Sequence, residues 1–276
     1  MFKNLFLLAI AAGIALLGYM YSVATGDPVV RKTQVVASEW PESAPKLKLL
    51  LISDVHVAGP DMPPERLARI VEQMNKLSPD LVLFAGDFVS DKRTATTLYS
   101  AQQALSPLSR LKADQGIYAV LGNHDHWRNT GAISKALNDV GITILTNEAI
   151  QVGPIALGGL DDDFTDRADV PAVLKSMAEL SGYPIYLSHS PDIVPELPKK
   201  ESLILAGHTH CGQIVLPVLG APATMSEYGD RYACGKIEED KKTVIVSAGI
   251  GTSILPLRLG AVPDMWLIEI RGLQDS

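Results

Sequence analysis

Five short apolar runs in this chain each stop at a polar cluster, and this pattern restricts the fold more than any other feature. Leu49-Leu-Leu-Ile-Ser leads into Asp54-Val-His56, and Leu81-Val-Leu-Phe-Ala into Gly86-Asp87. Tyr118-Ala-Val-Leu leads into Gly122-Asn123-His124-Asp125, Ile185-Tyr-Leu into Ser188-His189, and Leu203-Ile-Leu-Ala into Gly207-His208-Thr209-His210. Runs of this length bounded by turn residues read as buried strands. Between them lie helical patterns. Pro63-Pro64-Glu-Arg-Leu opens a helix with Pro in its first turn, and Leu67, Ile70, Val71, Met74 and Leu77 then recur at helical spacing. Further helices are expected over 95–111 and 131–140. The β-α-β-α-β order predicts an α/β sheet covered by helices. The second half adds expected strands at 150–157, 183–187, 202–206, 213–216, 243–247 and 265–270, enough for a second sheet packed on the first.

Ligands of open α/β sheets bind in the crevice beyond the strands' carboxyl ends, so the five clusters are expected to meet in one place. Their chemistry agrees. Carboxylate, imidazole and amide oxygen together suit Mn²⁺, Fe or Zn²⁺; thiolate is absent, and so many imidazoles exclude an all-oxygen magnesium or calcium cage. Alternate residues leaving a strand point to the same side, which pairs Asp54 with His56 and His208 with His210. Gly86, Gly122 and Gly207 permit a sharp turn before each ligand. A lone His at a strand end is an ordinary core residue, and Gly-Asp or Gly-His is a common turn. Here, however, five of the six histidines fall within the clusters, and His126 follows His124 by two positions. The expected metal ligands are Asp54, His56, Asp87, Asn123, His189, His208 and His210.

A formal charge of −7 with no run of Lys or Arg argues against a nucleic-acid partner. The 276 residues suit one large catalytic domain with a short appendage. Asn4 through Gly26 carries no charge, and about 20 apolar residues suffice to cross a bilayer. Tyr19 and Tyr21 lie near its far end, where such rings favour the interface. Residues 1–26 are therefore expected as a retained single-pass anchor, with a signal peptide cleaved near Ser22-Val23-Ala24 as the alternative. Lys3 on one side and Arg31 and Lys32 on the other leave the orientation open. Residues 27–45 read as a linker or a loose first strand, with Val29, Val30, Val35, Val36 and Trp40 able to meet the interface, and 46–276 as the catalytic domain. Cys211 and Cys234 form no framework and are expected as two free thiols. The oligomeric state is left open.

The order D-x-H, G-D, G-N-H-D, a lone His and G-H-x-H resembles that of the calcineurin-like metallophosphoesterases over most of 47–270. Gly207-His-Thr-His-Cys-Gly-Gln-Ile and Gly249-Ile-Gly-Thr-Ser look like that family's membrane-associated bacterial branch. The branch includes phosphodiesterases with an N-terminal export or anchor segment and a UDP-diacylglucosamine pyrophosphatase of lipid A synthesis. The resemblance implies a four-layer α-β-β-α sandwich after one transmembrane helix in a bacterial cell membrane. It also implies two divalent ions, Mn favoured over Fe or Zn: Asp54, His56 and His210 hold one, Asn123, His189 and His208 the other, and Asp87 bridges them. Such ions, about 3.5–4 Å apart, clamp a phosphate and lower the pKa of a shared water for in-line attack. His124 is left free to protonate the leaving oxygen or steady phosphoryl charge. Asp125 either orients the His124 ring or caps a helix. His126 and Trp127 read as loop residues or as lining of the substrate cleft, and Asp161-Asp162-Asp163 as a solvated acidic turn or a border of the site. Cys211 reads as a small packing residue where the family more often has Gly, or as a thiol beside His210 that makes activity sensitive to oxidants. The activity implied is a phosphodiesterase or pyrophosphatase acting on a membrane lipid phosphate. The alternatives are the UDP-diacylglucosamine pyrophosphatase reaction itself and a catalytically silent tethered binding protein.

Overall fold

The apolar runs and amphipathic stretches resolve into two six-stranded sheets in a computed structural model, which describes residues 2–41 and 44–273. In chain order the elements are α1 (Phe2–Thr25), β1 (Val29–Ala37), β2 (Leu47–Ile52), α2 (Pro64–Lys76), β3 (Leu81–Ala85), α3 (Ala101–Leu105), β4 (Ile117–Val120) and α4 (Asn123–Asp139). There follow β5 (Thr143–Ile144), β6 (Glu148–Val152), β7 (Ile155–Gly159), α5 (Val170–Met177), β8 (Tyr183–Leu187), β9 (Ser202–Ala206), β10 (Gly235–Glu239), β11 (Lys242–Val246) and β12 (Asp264–Gly272). The first sheet runs β1-β12-β2-β3-β4-β5 and the second β10-β11-β9-β8-β7-β6. Strands β2 to β5 are parallel, as are β11, β9, β8 and β7, while β12 against β2 and both β10 and β6 are antiparallel.

All five residues of β3 are buried because alternate side chains serve two different cores. Leu81, Leu83 and Ala85 enter the space between the sheets with Leu157, Leu187, Leu203 and Leu205. Val82 and Phe84 face the helices, meeting Leu67, Ile70, Val71 and Met74 of α2 and Leu137 of α4. Strand β9 divides likewise, and its Ile204 packs with Val173 and Met177 of α5 on the outer face of the second sheet. Helices, sheet, sheet and helix form the expected four layers. Full burial of each such aliphatic side chain contributes about 1.5–3 kcal/mol before chain entropy is counted.

Several elements differ from their expected spans. The helix over 95–111 shrinks to α3, begun by a Ser100–Gln103 capping box and followed by a 3-10 turn containing Pro107, which lacks the N–H an α-helix needs. The helix at 131–140 starts already at Asn123 and kinks at Asn129. The strand at 150–157 is two strands, β6 and β7, around Gly153-Pro154. Residues 213–216 form only isolated bridges, mainly to 259–260. Strand β10, alternating and charged, was not expected. Residues 27–45 contain β1, paired with β12 along its whole length from Val29↔Asp264 to Ala37↔Gly272. Val35 and Trp40 are thereby buried between the sheets rather than free for an interface. Residues 42 and 43 of that segment, and the last three of the expected catalytic domain, lie outside the described residues.

Helix α1 is apolar and long enough to cross a membrane, and of its residues only Met20 and Ala24 are buried. Its far end is nevertheless tied to the domain. Arg258 N donates to Met20 O at 3.1 Å, Tyr21 Oη to Pro60 O at 3.3 Å, and Arg66 Nη2 to Gly26 O at 2.7 Å.

The expectation of two free thiols is overturned. Cys211 and Cys234 form a disulfide, because the turn after β9 and the turn before β10 meet at the same corner. No local spacing announces that meeting. Closing a loop of 23 residues restricts the unfolded chain by about 3 kcal/mol. Reduction should therefore lower the denaturant midpoint markedly, and mass analysis of the unreduced chain should find no free thiol. Two titratable thiols in the native protein would contradict the pairing.

Candidate metal centre

The expected ligands sit beyond the carboxyl ends of β2, β3, β4, β8 and β9, on turns or, for Asn123, at the first residue of α4, rather than on continuing strand. Asp54, His56, Asp87, His208 and His210 all have positive φ, between 49° and 68°. Such left-handed conformations cost a non-glycine residue of order 1 kcal/mol or more. Backbone bonds between the turns hold them there: Asp54 N to Gly86 O at 3.0 Å, His56 N to Asp87 O at 2.9 Å, and Gly251 N to Asp54 O at 2.7 Å. Asp54 and His56 thus converge through turn geometry, with His56 Nε2 3.9 Å from Asp54 Oδ1, whereas His208 and His210, expected as a pair, enter different groups of donor atoms. Of the three glycines, only Gly86 has positive φ. Gly122 and Gly207 are needed for closeness instead: a Cβ there would lie 2.3 Å from Asp87 Oδ1 and 2.4 Å from Asp54 Oδ2.

Two groups of donor atoms result, with one carboxylate between them. In the first, His56 Nε2 lies 3.1 Å from His210 Nε2, and Asp54 Oδ1 lies 3.4 Å from His210 Nε2. In the second, His189 Nε2 lies 3.1 Å from Asn123 Oδ1 and 3.2 Å from His208 Nδ1. Asp87 Oδ2 reaches both, 3.4 Å from His56 Nε2 and 3.2 Å from His189 Nε2.

The second group tests whether a cation fits. His189 Nδ1 donates to Ala85 O at 2.7 Å, and His208 Nε2 donates to Met225 O at 3.1 Å. A carbonyl only accepts, so each neutral ring carries its proton there and turns a bare lone pair inward. With both rings neutral, two imidazole lone pairs, an amide oxygen and a carboxylate oxygen face one another, a set that only a proton on His189 or a cation can join. Acceptors so arranged repel unless a cation joins them, and backbone carbonyls that fix the ring tautomers are what metal-binding imidazoles require.

The local charge balance agrees. Burial, reinforced by His189, pushes the His208 pKa down to about 3. Burial likewise takes His56 and His210 well below the imidazole range; for His210, the neighbouring His56 and Arg258 add to the effect. These rings are neutral and able to ligate. Burial would lower His189 too, yet Asp87 beside it raises it well above the usual value. Burial would raise Asp87, but His189 and His56 hold it well below the carboxylate range. The pocket therefore calls for positive charge around Asp87.

His124 N donates to Asp87 Oδ1 at 2.9 Å, while its ring belongs to a separate pair: Nδ1 lies 2.5 Å from Asp91 Oδ1 and Nε2 3.4 Å from Ser253 Oγ. Asp125 does not touch that ring. Its carboxylate accepts from the backbone N–H groups of Gly122, Asp87, Phe88 and Val89, capping α4 and fixing the Asp87 turn at once. Burial, then the Asp87 charge, pushes its pKa up to about 7 against the pull of the Gly122 and Val89 amides. Of the two expected roles the cap is the one present, and Asp91 is the carboxylate at His124. Lys92 anchors the Asp91 loop, buried with Nζ 2.5 Å from Asp61 Oδ1 and 3.1 Å from Thr252 Oγ1. An Asp91-Lys92 charge pair four residues after the Gly86-Asp87 cluster was the available signal for both residues.

His126 and Trp127 lie in the first turns of α4, not in a loop. His126 Nε2 bonds Asp161 Oδ1 at 2.7 Å; Asp161 and Asp162 are buried, so the acidic turn is packed rather than solvated. Trp127, Phe164, Met225 and Ile254 rim a cleft of about 280 Å³ whose floor includes Asp87, Asn123, His124, His208 and His210.

The calcineurin-like phosphoesterase family matches residues 47–212. The chain is a calcineurin-like metallophosphoesterase. It is 31% identical to a metallophosphoesterase of Helicobacter pylori over 93% of this chain and 68% of that one. It is 27% identical to the metallophosphoesterase YkoQ of Bacillus subtilis, over 98% of this chain and 100% of that one. A transmembrane protein with a metallophosphoesterase domain from Danio rerio is 28% identical over 96% of this chain and 62% of its own length. Divalent metals are used throughout this family, and a phosphoester hydrolase built on it needs its donor atoms held to within a fraction of an ångström. In this metallophosphoesterase Gly122→Ala should displace the Asp87 carboxylate and lower bound divalent metal at least tenfold, with the circular dichroism spectrum unchanged. Full metal content in that variant would contradict the tight approach at Gly122.

Proposed function

We propose that this metallophosphoesterase hydrolyses a phosphodiester or pyrophosphate bond of a membrane lipid, using two divalent cations. Asp54, His56 and His210 would hold one, Asn123, His189 and His208 the other, and Asp87 both. The observation that carries the reading is the convergence of imidazole, amide and carboxylate atoms around Asp87 Oδ2. When bound, the ions would neutralise phosphoryl charge and lower the pKa of the attacking water. The ligand types suit Mn, Fe or Zn, and manganese is the ion to test first.

The remaining work falls to the protein's own groups. His124 presents Nε2 to the cleft while Asp91 holds Nδ1, an arrangement that orients the ring to deliver a proton to the leaving oxygen. Trp127, Phe164, Met225 and Ile254 exclude water from the bound ester and offer an apolar wall to the rest of the substrate. That wall, together with an apolar α1 docked on the same domain, supports a lipid phosphate. In this reading residues 1–26 are a retained anchor, 46–276 are the catalytic domain, and the acidic chain has no nucleic-acid partner. The Cys211–Cys234 disulfide supports a catalytic domain on the oxidising side of a bacterial cell membrane.

Three substitutions test the site. Asp87→Asn should abolish hydrolysis of a chromogenic phosphodiester and lower metal content, because a neutral amide cannot balance two divalent ions. Normal turnover with two metals would refute the assignment. His124→Ala should retain the metals yet slow esters of poor leaving groups by about 10²–10⁴-fold, with activated aryl esters affected far less. Asp91→Asn should follow the same split more weakly. An equal loss on both ester types would mean that His124 steadies charge and transfers no proton.

A further inference from the structure

Two loop tips beside the cleft are apolar, and nothing among the described residues covers them. Outside α1, Val218, Leu219 and Ile254 are the most exposed large hydrophobic side chains described, at 105%, 81% and 70%. They stand in stretches without any charged residue, Ile214 to Met225 and Gly249 to Leu257. Contiguous exposed apolar surface on a folded protein marks a contact site.

The two tips share one base. Val215 N donates to Leu259 O at 2.7 Å and Leu259 N to Gln213 O at 3.0 Å. The Gln213 side chain, through Nε2, donates to Leu255 O at 3.0 Å and Leu257 O at 3.1 Å. Leu216 and Gly220 exchange backbone bonds of 2.9 and 3.0 Å, so the hairpin carrying Val218 and Leu219 enters an apolar medium with those groups already paired. The same base is joined to the end of the apolar helix, because Arg258 N, one residue from Leu257, donates to Met20 O.

We infer that Val218, Leu219 and Ile254 form a footing that dips into the headgroup–acyl boundary of the bilayer beside α1 and sets the cleft mouth against the membrane surface. The inference rests on the reading of α1 as a retained membrane anchor. The occupant is a bilayer because the tips continue directly from the point where the domain grips the spanning helix. Ile254 belongs both to the footing and to the cleft wall near His124, so a lipid headgroup at the boundary would meet the site without leaving the membrane. The surface identified differs from the Val29–Trp40 segment, whose Val35 and Trp40 are spent on the core.

The test uses the full chain in phosphatidylcholine–phosphatidylglycerol vesicles, with an environment-sensitive fluorophore on a single introduced thiol. The native cysteines are paired and do not compete for label. Val218→Cys and Ile254→Cys probe the footing, and Leu8→Cys probes α1. Lys241→Cys, in the turn at the amino-terminal edge of β11, probes the opposite side of the domain. Lipids spin-labelled near the headgroup should quench the probes at 218 and 254 by roughly half or more, as befits groups about 5–10 Å into the boundary, and leave the probe at 241 untouched. Absence of quenching at 218 and 254 with the Leu8 probe quenched by tail-labelled lipid would overturn the footing and leave the anchor standing. Absence of quenching at Leu8 as well would overturn both. Emission at 218 that shifts with protein concentration but not with lipid label would mean that a second copy covers the surface, again overturning the proposal.

Discussion

Asp87 is enclosed by protein and faces His56 on one side and His189 on the other, so its charge must be balanced inside the fold. The surrounding architecture serves that one requirement. Gly122 removes a Cβ from the path of the carboxylate, and Asp125 gathers the amides of Asp87, Phe88 and Val89 so that the turn after β3 cannot relax. Several left-handed residues of the site add conformational cost. A structure in which five strand ends meet can hold such a turn because cross-turn bonds over-determine it.

The parallel strands explain how distant residues become neighbours. Strands β2, β3 and β4 end side by side in the first sheet, β8 and β9 in the second, and the inter-sheet core fixes the two edges relative to each other. Asp54 and His208 then meet across 154 residues through a backbone N–H bond to a carboxylate. Placing these side chains at the ends of rigid strands keeps them aligned, whereas the cleft rim takes Phe164, Met225 and Ile254 from loops whose side chains can answer to substrate. Arg258 adds a link between these levels, packing its guanidinium against His210 while its backbone grips the end of α1.

Much of this was legible in the sequence, because buried parallel strands write themselves as unbroken apolar runs and each run ends at a chemically distinctive cluster. The two packed sheets and the convergence of Asp54, His56, Asp87, Asn123, His189, His208 and His210 follow from that pattern, while the four-layer order comes from the family resemblance. What the sequence hid depends on tertiary meeting. Asp91 reaches His124 only because the loop after β3 curls back under the Lys92 clamp. Cys211 finds Cys234 only where two turns share a corner. Strand β10 alternates charge on an exposed edge and carries little apolar signal, and Val35 and Trp40 looked free because edge pairing with β12 cannot be read from their own neighbours. The same family match that names the fold says nothing about substrate, which the rim and the anchor must decide.

The central claim is that the buried carboxylate of Asp87 is shared by two cations. Anomalous diffraction from crystals grown with manganese measures this directly. The account predicts two peaks about 3.5–4 Å apart, one beside Asp54, His56 and His210, the other beside Asn123, His189 and His208, with Asp87 touching both. A single peak, or two peaks of which neither contacts Asp87, would contradict it.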